Sequence, residues 1–218
     1  MTDFAAARLN MVEGQIRTNR VTDPVLIDAL LAVPRELFVP PSLRSIAYVD
    51  EDLPLGRGRY LMEPVVLARM LQVASITPSE AVLDIGCASG YSTAVIAKLA
   101  GSVVAIDADA ELVKRANQIL SELGADNAAV VQADTAQGYA RQAPYNVVVL
   151  GGAVDFVPDA ITDQLVDGGR LVAVVRDEGG VGRATLMTRV GSSVSSRIIF
   201  DAATPRLPGF AREPGFVF

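Results

Sequence analysis

The sequence predicts an α/β protein: a mostly parallel sheet of seven strands that ends in an antiparallel hairpin and is preceded by a helical cap. From about residue 81, short apolar runs alternate with helix-like segments, which is typical of a parallel sheet with helices on both faces. The last two apolar runs are separated only by Gly191-Ser192-Ser193, which indicates a hairpin. Residues 1 to about 80 instead show helical spacing interrupted by prolines.

The first part of the cap is predicted to hold two helices. The first has an apolar face, and the second begins at Pro24, is capped by Thr22 or Asp23, and ends before Pro34. The residues predicted to be buried are Leu9, Val12 and Ile16 in the first helix and Leu26, Leu30 and Val33 in the second.

The second part of the cap is predicted to be a loop followed by a helix. Residues 50–60 are polar and rich in glycine, so they read as loop. Pro64 then begins a third helix that runs to about Val73, with Val66 and Met70 on its apolar face.

Seven strands and three helices are predicted in the sheet core, which spans residues 81–200. The strands are 82–85, 103–106, 128–132, 146–150, 170–175, 183–190 and 194–200. The helices are 92–100, 110–123 and 157–166. Because there is no repeat or linker, residues 1–218 are predicted to be one domain: a cap (1–80), the sheet core (81–200) and a tail (201–218) that either packs on the sheet or mediates dimerisation.

Composition excludes several classes of function. Half of the 218 residues are hydrophobic and the net charge is −6 with a pI of about 4.7, so disorder and nucleic-acid binding are disfavoured. Cys87 is the only cysteine and there is no histidine, which excludes an intrachain disulfide, Cys- or His-based zinc sites and His-based triads. The sequence has no basic leader and no apolar run of about 20 residues. We therefore expect a cytoplasmic protein that holds no metal and does not bind a membrane. It is expected to be a monomer or a homodimer.

The segment Val82–Tyr91 carries the main functional signal. An apolar run ends in Asp84, two glycines four positions apart follow, and the next apolar run ends in Asp107, 21 positions after Gly86. At about this offset an acid hydrogen-bonds ribose hydroxyls. The phosphate-binding pattern G-x-G-x-x-G is missing, which disfavours a dehydrogenase. Asp84 would repel phosphate and attract an ammonium or sulfonium group.

This turn resembles the nucleotide-binding turn of class I S-adenosylmethionine-dependent methyltransferases, which have a Rossmann-like fold. Four further segments, together with it, resemble protein-L-isoaspartate O-methyltransferases. They are Met11-Val12-Glu13-Gly14-Gln15-Ile16, Val33-Pro34-Arg35-Glu36-Leu37-Phe38-Val39-Pro40, Ala47-Tyr48 and Asp52-Leu53-Pro54-Leu55-Gly56. The resemblance implies an enzyme that methylates the α-carboxylate of isoaspartyl residues and so starts protein repair.

By this resemblance, the cofactor S-adenosylmethionine would be held by residues that follow the predicted strands. The methionine part would be lined by Gly86, Cys87, Ser89, Gly90 and Tyr91, with Asp84 beneath the turn. The ribose would meet Asp107, the adenine would meet Ala108, Asp134 and Thr135, and the methyl group would lie beside Gly151.

The loop at 57–63 departs from the family. The family has a Gly-x-Thr-Ile-Ser-x-Pro-like stretch here, with a serine implicated in catalysis, but this chain has Tyr60 at the threonine position and Met62 at the serine position. The substrate-side candidates are therefore Tyr60, Leu61, Met62 and the two arginines Arg57 and Arg59, which are interpreted as surface residues able to contact an acidic acceptor.

Three functions remain open. A carboxylate acceptor is already ionised at pH 7 and needs no general base, so the missing histidine fits a carboxyl methyltransferase. A thioether cannot donate the hydrogen bond that a serine hydroxyl can. The leading interpretation is an S-adenosylmethionine-dependent methyltransferase of the isoaspartyl type, and Tyr60 and Met62 add the hypothesis that its isoaspartyl activity is altered or lost. The alternatives are transfer to another protein or small acid, and a cofactor-binding homologue that acts by interaction.

Overall fold

The computed structural model describes residues 3–177 and 179–212 and has the predicted α/β architecture. The helices are α1 (Phe4–Met11), α2 (Pro24–Ala32), α3 (Pro64–Ala74), α4 (Tyr91–Ala97), α5 (Ala110–Glu122) and α6 (Asp159–Thr162). The strands are β1 (Leu53–Gly56), β2 (Arg59–Leu61), β3 (Ala81–Ile85), β4 (Ser102–Asp107), β5 (Ala128–Gln132), β6 (Tyr145–Val154), β7 (Leu165–Arg176), β8 (Gly182–Val190) and β9 (Ser193–Asp201).

Seven strands form the main sheet in the order β5-β4-β3-β6-β7-β8-β9. The first five in this order are parallel, whereas β8 and β9 pair antiparallel with their neighbours. The predicted mostly parallel sheet with a C-terminal hairpin is confirmed. The strand order reverses between β3 and β6, which places a crevice at their carboxyl ends.

The sheet separates two groups of buried side chains. On one face the cap, which includes α3, packs together with α4 and α5 against residues such as Val82, Val147 and Val172. On the other face α6 and the tail pack against residues such as Leu83 and Ile85. Successive strand residues point to opposite faces, so both faces of β3 are buried, as expected of a central parallel strand.

Three predictions about the elements need correction. Leu9 is exposed, because α1 ends at Met11 and continues as a π-helical turn whose wider winding rotates the buried face onto Met11, Val12 and Ile16. The predicted loop 50–60 contains the β1–β2 hairpin. The helix predicted at 157–166 has only four residues, because Leu165 already pairs with Tyr145 in the sheet.

Other predicted elements are confirmed. Asp23 caps α2 through hydrogen bonds from the backbone N–H groups of Val25 and Leu26, and Pro24 occupies the first turn. The predicted apolar face of α2 is buried. Within the described ranges 3–177 and 179–212, no helix is long and apolar enough to span a bilayer.

Candidate functional site

The carboxyl ends of β3 and β6 meet where the strand order reverses, the place where open α/β sheets bind their ligands. Gly86 follows β3 and Gly151 lies within β6. A Cβ atom on Gly151 would come within 2.3 Å of the Gly86 carbonyl oxygen, so no side chain fits there. The two strand ends therefore approach closely at the predicted site.

The turn after β3 is held by backbone hydrogen bonds and by packing. The N–H groups of Gly86 and Cys87 donate to the Ile106 carbonyl at 2.8 and 3.2 Å. Gly86 and Gly90 have φ values of +73° and +91°, which favour glycine. A Cβ atom on Gly90 would lie 3.0 Å from the Ala116 side chain of α5. Both glycines are thus required by the fold itself, whatever the turn binds.

Asp84 is fully buried beneath this turn at the end of β3. Its Oδ2 accepts hydrogen bonds from Ser92 Oγ at 2.7 Å and Thr93 Oγ1 at 2.8 Å. Among the described residues, nothing donates to Oδ1. Burial raises the pKa of the Asp84 carboxyl to about 6. The free oxygen is a candidate acceptor for a donor or cation, in agreement with the sign of charge expected from the sequence.

Asp107, at the end of β4, is buried, and both of its carboxylate oxygens already accept hydrogen bonds. Its Oδ1 accepts from the Asp109 N–H at 3.1 Å, and its Oδ2 accepts from the Ala88 N–H at 2.9 Å. The Arg59 guanidinium also donates to Oδ2, from Nη2 at 3.0 Å and Nε at 3.3 Å. The same Nη2 donates to the Gly86 carbonyl at 2.6 Å. The carboxylate predicted to meet a ribose is therefore bonded to an arginine of the chain.

The two arginines of the β1–β2 hairpin lie in different environments. Arg59 is 6% exposed, so the prediction of a surface residue is wrong for it. It is buried because its guanidinium reaches across the glycine turn to Asp107. Arg57 is exposed, as predicted, and its Nη1 lies 3.0 Å from Asp109 Oδ2. Only Arg57 keeps a solvent-accessible guanidinium that could meet an acidic acceptor.

The rest of the loop faces the glycine turn and the cap. Tyr60, Leu61 and Met62 line a small cavity together with Tyr91. Tyr60 is partly exposed, whereas Leu61 and Met62 are buried. Met62 is held through its carbonyl, which accepts a hydrogen bond from Arg35 Nη2 at 2.7 Å. Tyr60 is thus the member of this group that a ligand outside the protein can reach.

Arg35 is a site residue that the sequence reasoning missed. It is fully buried, donates to the carbonyls of Ala47 and Met62 at 2.7 Å each, and lies 4.8 Å above the Tyr91 ring. Burial lowers its pKa. The available signal was its place in the apolar string 33–40, where a cation needs buried acceptors. Arg35 therefore joins the cap, the loop and the glycine turn.

The tail lies across the same edge of the sheet. The Ala153 N–H donates to the Pro205 carbonyl at 2.9 Å, and the Leu207 N–H donates to the Ala153 carbonyl at 2.8 Å. The Leu207 side chain is buried so close to Gly86 that a Cβ atom there would lie 2.5 Å from its Cδ1. Of the two predicted roles for the tail, packing on the sheet is observed for residues up to 212. Residues 213–218 lie outside the described residues.

The other predicted cofactor residues are not all in one place. Ser89 is buried and donates to the Phe38 carbonyl of the cap at 2.6 Å. Ala108 and Asp134 are exposed. Thr135 is buried beneath the tail. The structure thus brings the residues of the glycine turn, Asp107 and Thr135 to one edge, but Ser89 faces away from it.

The cavity at the glycine turn is about 20 Å³, bounded by Gly86, Cys87, Gly151 and the loop. One water molecule needs roughly 10–15 Å³ by the same measure, and small-molecule sites span about 300–1,000 Å³. S-adenosylmethionine, the cofactor implied by the resemblance, therefore does not fit the cleft in this conformation. Glycines and acids suited to it are present, but Arg59 and Leu207 fill the space.

A larger cavity lies elsewhere on the protein. It is an open groove of about 700 Å³ between the start of β8 and the tail, lined by residues that include Asp52, Arg176 and Thr204. None of the predicted cofactor residues lines it. The size of a cavity is a weaker argument than the glycine turn and its acids. The crevice at the carboxyl ends of β3 and β6, where the strand order reverses, therefore remains the candidate site.

The chain is similar to one family over most of its length. It matches the family described as Protein-L-isoaspartate(D-aspartate) O-methyltransferase over residues 7–201. It is 38% identical over 188 residues to protein-L-isoaspartate O-methyltransferase 1 of Rhodopseudomonas palustris (strain HaA2), covering 86% of this chain and 77% of that protein. It is 35% identical over 190 residues to the Gloeobacter violaceus protein-L-isoaspartate O-methyltransferase, covering 87% and 93% of the two chains.

Solved structures share the fold at lower sequence identity. A protein-L-isoaspartate O-methyltransferase structure superposes with a TM-score of 0.81 at 23% identity, over 93% of this chain and 66% of that longer chain. A Plasmodium falciparum protein in complex with S-adenosyl-L-homocysteine superposes with a TM-score of 0.78 at 16% identity, over 94% of this chain and 98% of that chain. These matches confirm the predicted class of fold.

Proposed function

The chain belongs to the protein-L-isoaspartate O-methyltransferase family, and we propose that it transfers a methyl group from S-adenosylmethionine to a carboxylate of a damaged protein. The observation that carries this proposal is the family match over residues 7–201, which includes the glycine turn and the acids at the ends of β3 and β4. Members of this family use S-adenosylmethionine, which supports it as the methyl donor here.

The residues of the site suit a carboxylate acceptor. Such an acceptor is ionised at pH 7, so no group has to remove a proton from it. The chain has no histidine, and its single thiol, Cys87, is buried with its pKa raised well above the usual range by that burial. Orientation of the acceptor and exclusion of water are then the tasks left to the protein.

Tyr60 and Met62 are the residues that we expect to limit isoaspartyl activity. Tyr60 is partly exposed and carries a hydroxyl, while the buried thioether of Met62 offers no donor. An acceptor carboxylate that loses one hydrogen bond costs about 1–3 kcal/mol, or roughly a tenfold to hundredfold loss of rate.

A methyl-transfer assay with an isoaspartyl peptide tests whether the protein methylates such a carboxylate and whether Tyr60 and Met62 limit the rate. The protein should show slow transfer, and the double variant Tyr60→Thr with Met62→Ser should be roughly tenfold faster or more, because it restores a hydroxyl donor. The matched control is Tyr60→Phe, which keeps the ring and removes the hydroxyl, and should not gain activity. Turnover by the unchanged protein equal to that of an ordinary family member would refute the limiting role of the loop.

A second candidate function is that of a cofactor-binding homologue that has lost isoaspartyl transfer. The buried thioether of Met62 favours it, because it stands where the family has the serine implicated in catalysis and donates no hydrogen bond. This candidate predicts that neither the unchanged protein nor the double variant methylates the peptide, although both bind the product S-adenosylhomocysteine.

The expected partner is a protein or peptide that presents a carboxylate, which the family match supports, and the net charge of −6 disfavours a nucleic acid. We also propose a cytoplasmic location. The single cysteine is free and buried, which is compatible with a reducing compartment. Fractionation of cells that produce the protein would test this location.

A further inference from the structure

Three parts of the candidate cleft are covered by groups of the chain itself. At the end of β4, Arg59 forms the ion pair with Asp107, and both side chains are buried. Above the glycine turn, Leu207 packs directly on Gly86. Beyond β5, the Thr135 hydroxyl donates to the Pro208 carbonyl at 3.4 Å. The covered parts are those that the family resemblance assigns to the ribose, the methionine part and the adenine.

The covering groups are integrated into the fold. Two backbone hydrogen bonds join Ala153 to the tail, and the Asp155 N–H donates to the Phe210 carbonyl at 3.2 Å. The side chains of Leu207 and Phe210 are 2% and 1% exposed and belong to the core on the α6 face of the sheet. The tail is therefore a stable occupant of the cleft and is not a loosely placed end of the chain.

The Arg59 guanidinium donates hydrogen bonds to Asp107 as the hydroxyl groups of a ligand would. It presents two N–H donors to one carboxylate oxygen of Asp107 and one to the Gly86 carbonyl. Ribose hydroxyls would present donors to the same carboxylate. Without Arg59, the buried carboxylate would keep only the N–H groups of Ala88 and Asp109 as donors, and loss of one partner of a buried ion pair is costly, so the protein without cofactor is stabilised by this pair.

We propose that Arg59 and the segment Pro205–Phe210 form an internal plug that occupies the cofactor cleft, and that S-adenosylmethionine binds only when this plug leaves. The proposal rests on the proposed function, because it assumes the cofactor of the family. The apparent dissociation constant is then the intrinsic one divided by the fraction of molecules with an open cleft. The plug thus sets the apparent affinity of the protein for its cofactor.

Binding of S-adenosylhomocysteine, measured by calorimetry without any methyl acceptor, tests the plug. Arg59→Ala removes the guanidinium, and Leu207→Ala shortens the side chain over Gly86. Each variant should bind at least tenfold more tightly than the unchanged protein. Leu207→Ala leaves the Asp107 pair intact, so it still tests the plug if Arg59→Ala fails to fold.

Two matched controls keep the plug in place. Arg197→Ala removes an exposed arginine of β9, and Leu9→Ala makes the same truncation as Leu207→Ala at an exposed position of α1, and both positions lie outside the cleft and the plug. Both should bind S-adenosylhomocysteine as the unchanged protein does. If the affinity of the controls for S-adenosylhomocysteine also rose tenfold, as in the plug variants, the proposal would be contradicted.

Hydrogen exchange gives a second readout. Saturating S-adenosylhomocysteine should speed exchange at the backbone amides of Ala153 and Leu207, because both donate within the tail contact. Tight binding by the unchanged protein with these amides still protected would overturn the plug and leave the proposed function standing. No binding by any of the proteins would overturn the plug and the proposed cofactor use together.

Discussion

Asp84 is a buried carboxyl group that uses only part of its hydrogen-bonding capacity. Two hydroxyl groups donate to Oδ2, while Oδ1 has no donor among the described residues. Because burial penalises the charged form more than the two hydroxyls favour it, the pKa of this carboxyl is raised to about 6. Ionisation of Asp84 near neutral pH therefore destabilises the folded protein unless a ligand supplies a donor.

The stability of the protein relative to an Asp84→Asn variant should fall as the pH rises from about 4 to about 6. The folded protein holds the proton of Asp84 more tightly than the unfolded chain does. The stabilisation by this proton is therefore complete below the Asp84 pKa of the unfolded chain and is lost above the Asp84 pKa of the folded protein. The loss should be on the order of 3 kcal/mol. Urea unfolding at several pH values measures it. Thr93→Ser, which keeps the hydroxyl donor, should retain the pH dependence of the unchanged protein.

The residues of the glycine turn were predictable from the sequence, but their present partners were not. Asp84, Gly86 and Asp107 lie at the carboxyl edge because strand ends in a parallel sheet meet there, and the period of the pattern reveals those ends. Arg59 lies 48 positions from Asp107, and no local pattern pairs them. Its burial follows from the packing of the β1–β2 hairpin against the turn, which is a tertiary effect.

At the scale of elements, regular strands were predicted more accurately than short or irregular segments. The strand predicted at 128–132 matches β5, whereas the sequence of the β1–β2 hairpin predicts a loop. Its strands have only four and three residues, too few for a period to show, and its turn is rich in glycine. The short α6 and the π-helical turn likewise depend on contacts with the sheet and the core, which local sequence preferences do not include.

The end of α3 depends on one arginine of β7. Arg170 donates to the carbonyls of Ala74 and Ser75 and to both carboxylate oxygens of Glu80, at 2.7 and 2.9 Å for Glu80. A planar guanidinium can satisfy these four acceptors at once, and an ammonium group cannot. The arginine therefore satisfies the last carbonyls of the helix and attaches it to the sheet.

Arg170→Lys should lower the free energy of unfolding by about 1–3 kcal/mol, because carbonyl and carboxylate acceptors lose their donors. Arg170 also holds the pKa of Glu80 below its usual range. The difference between the two proteins should thus be complete above the usual glutamate pKa of about 4.3 and shrink as the pH falls below it. Denaturant unfolding checks both points. Arg197→Lys, at an exposed position of β9, should cost much less.

At the scale of the whole molecule, the cap and the sheet share one core. The Arg115 side chain of α5 donates to the carbonyls of Leu37 and Val39 in the cap, at 3.2 and 2.6 Å. The Phe38 ring packs edge-on against Tyr91, with 5.5 Å between ring centroids. The predicted division into a cap and a sheet core therefore describes the topology, whereas the buried side chains of both parts form one continuous cluster.

A shared core predicts that the cap and the last strands unfold together, because neither can lose its packing without exposing apolar surface of the other. The chain has no tryptophan, so a single introduced indole reports on one place. Leu37→Trp in the cap and Phe200→Trp in β9 replace partly buried residues. In urea, the fluorescence midpoints of the two variants should each coincide with the midpoint of far-ultraviolet circular dichroism. A cap transition at distinctly lower urea would show that the cap is a separate unit, and the cleft that it borders would then open without unfolding of the sheet.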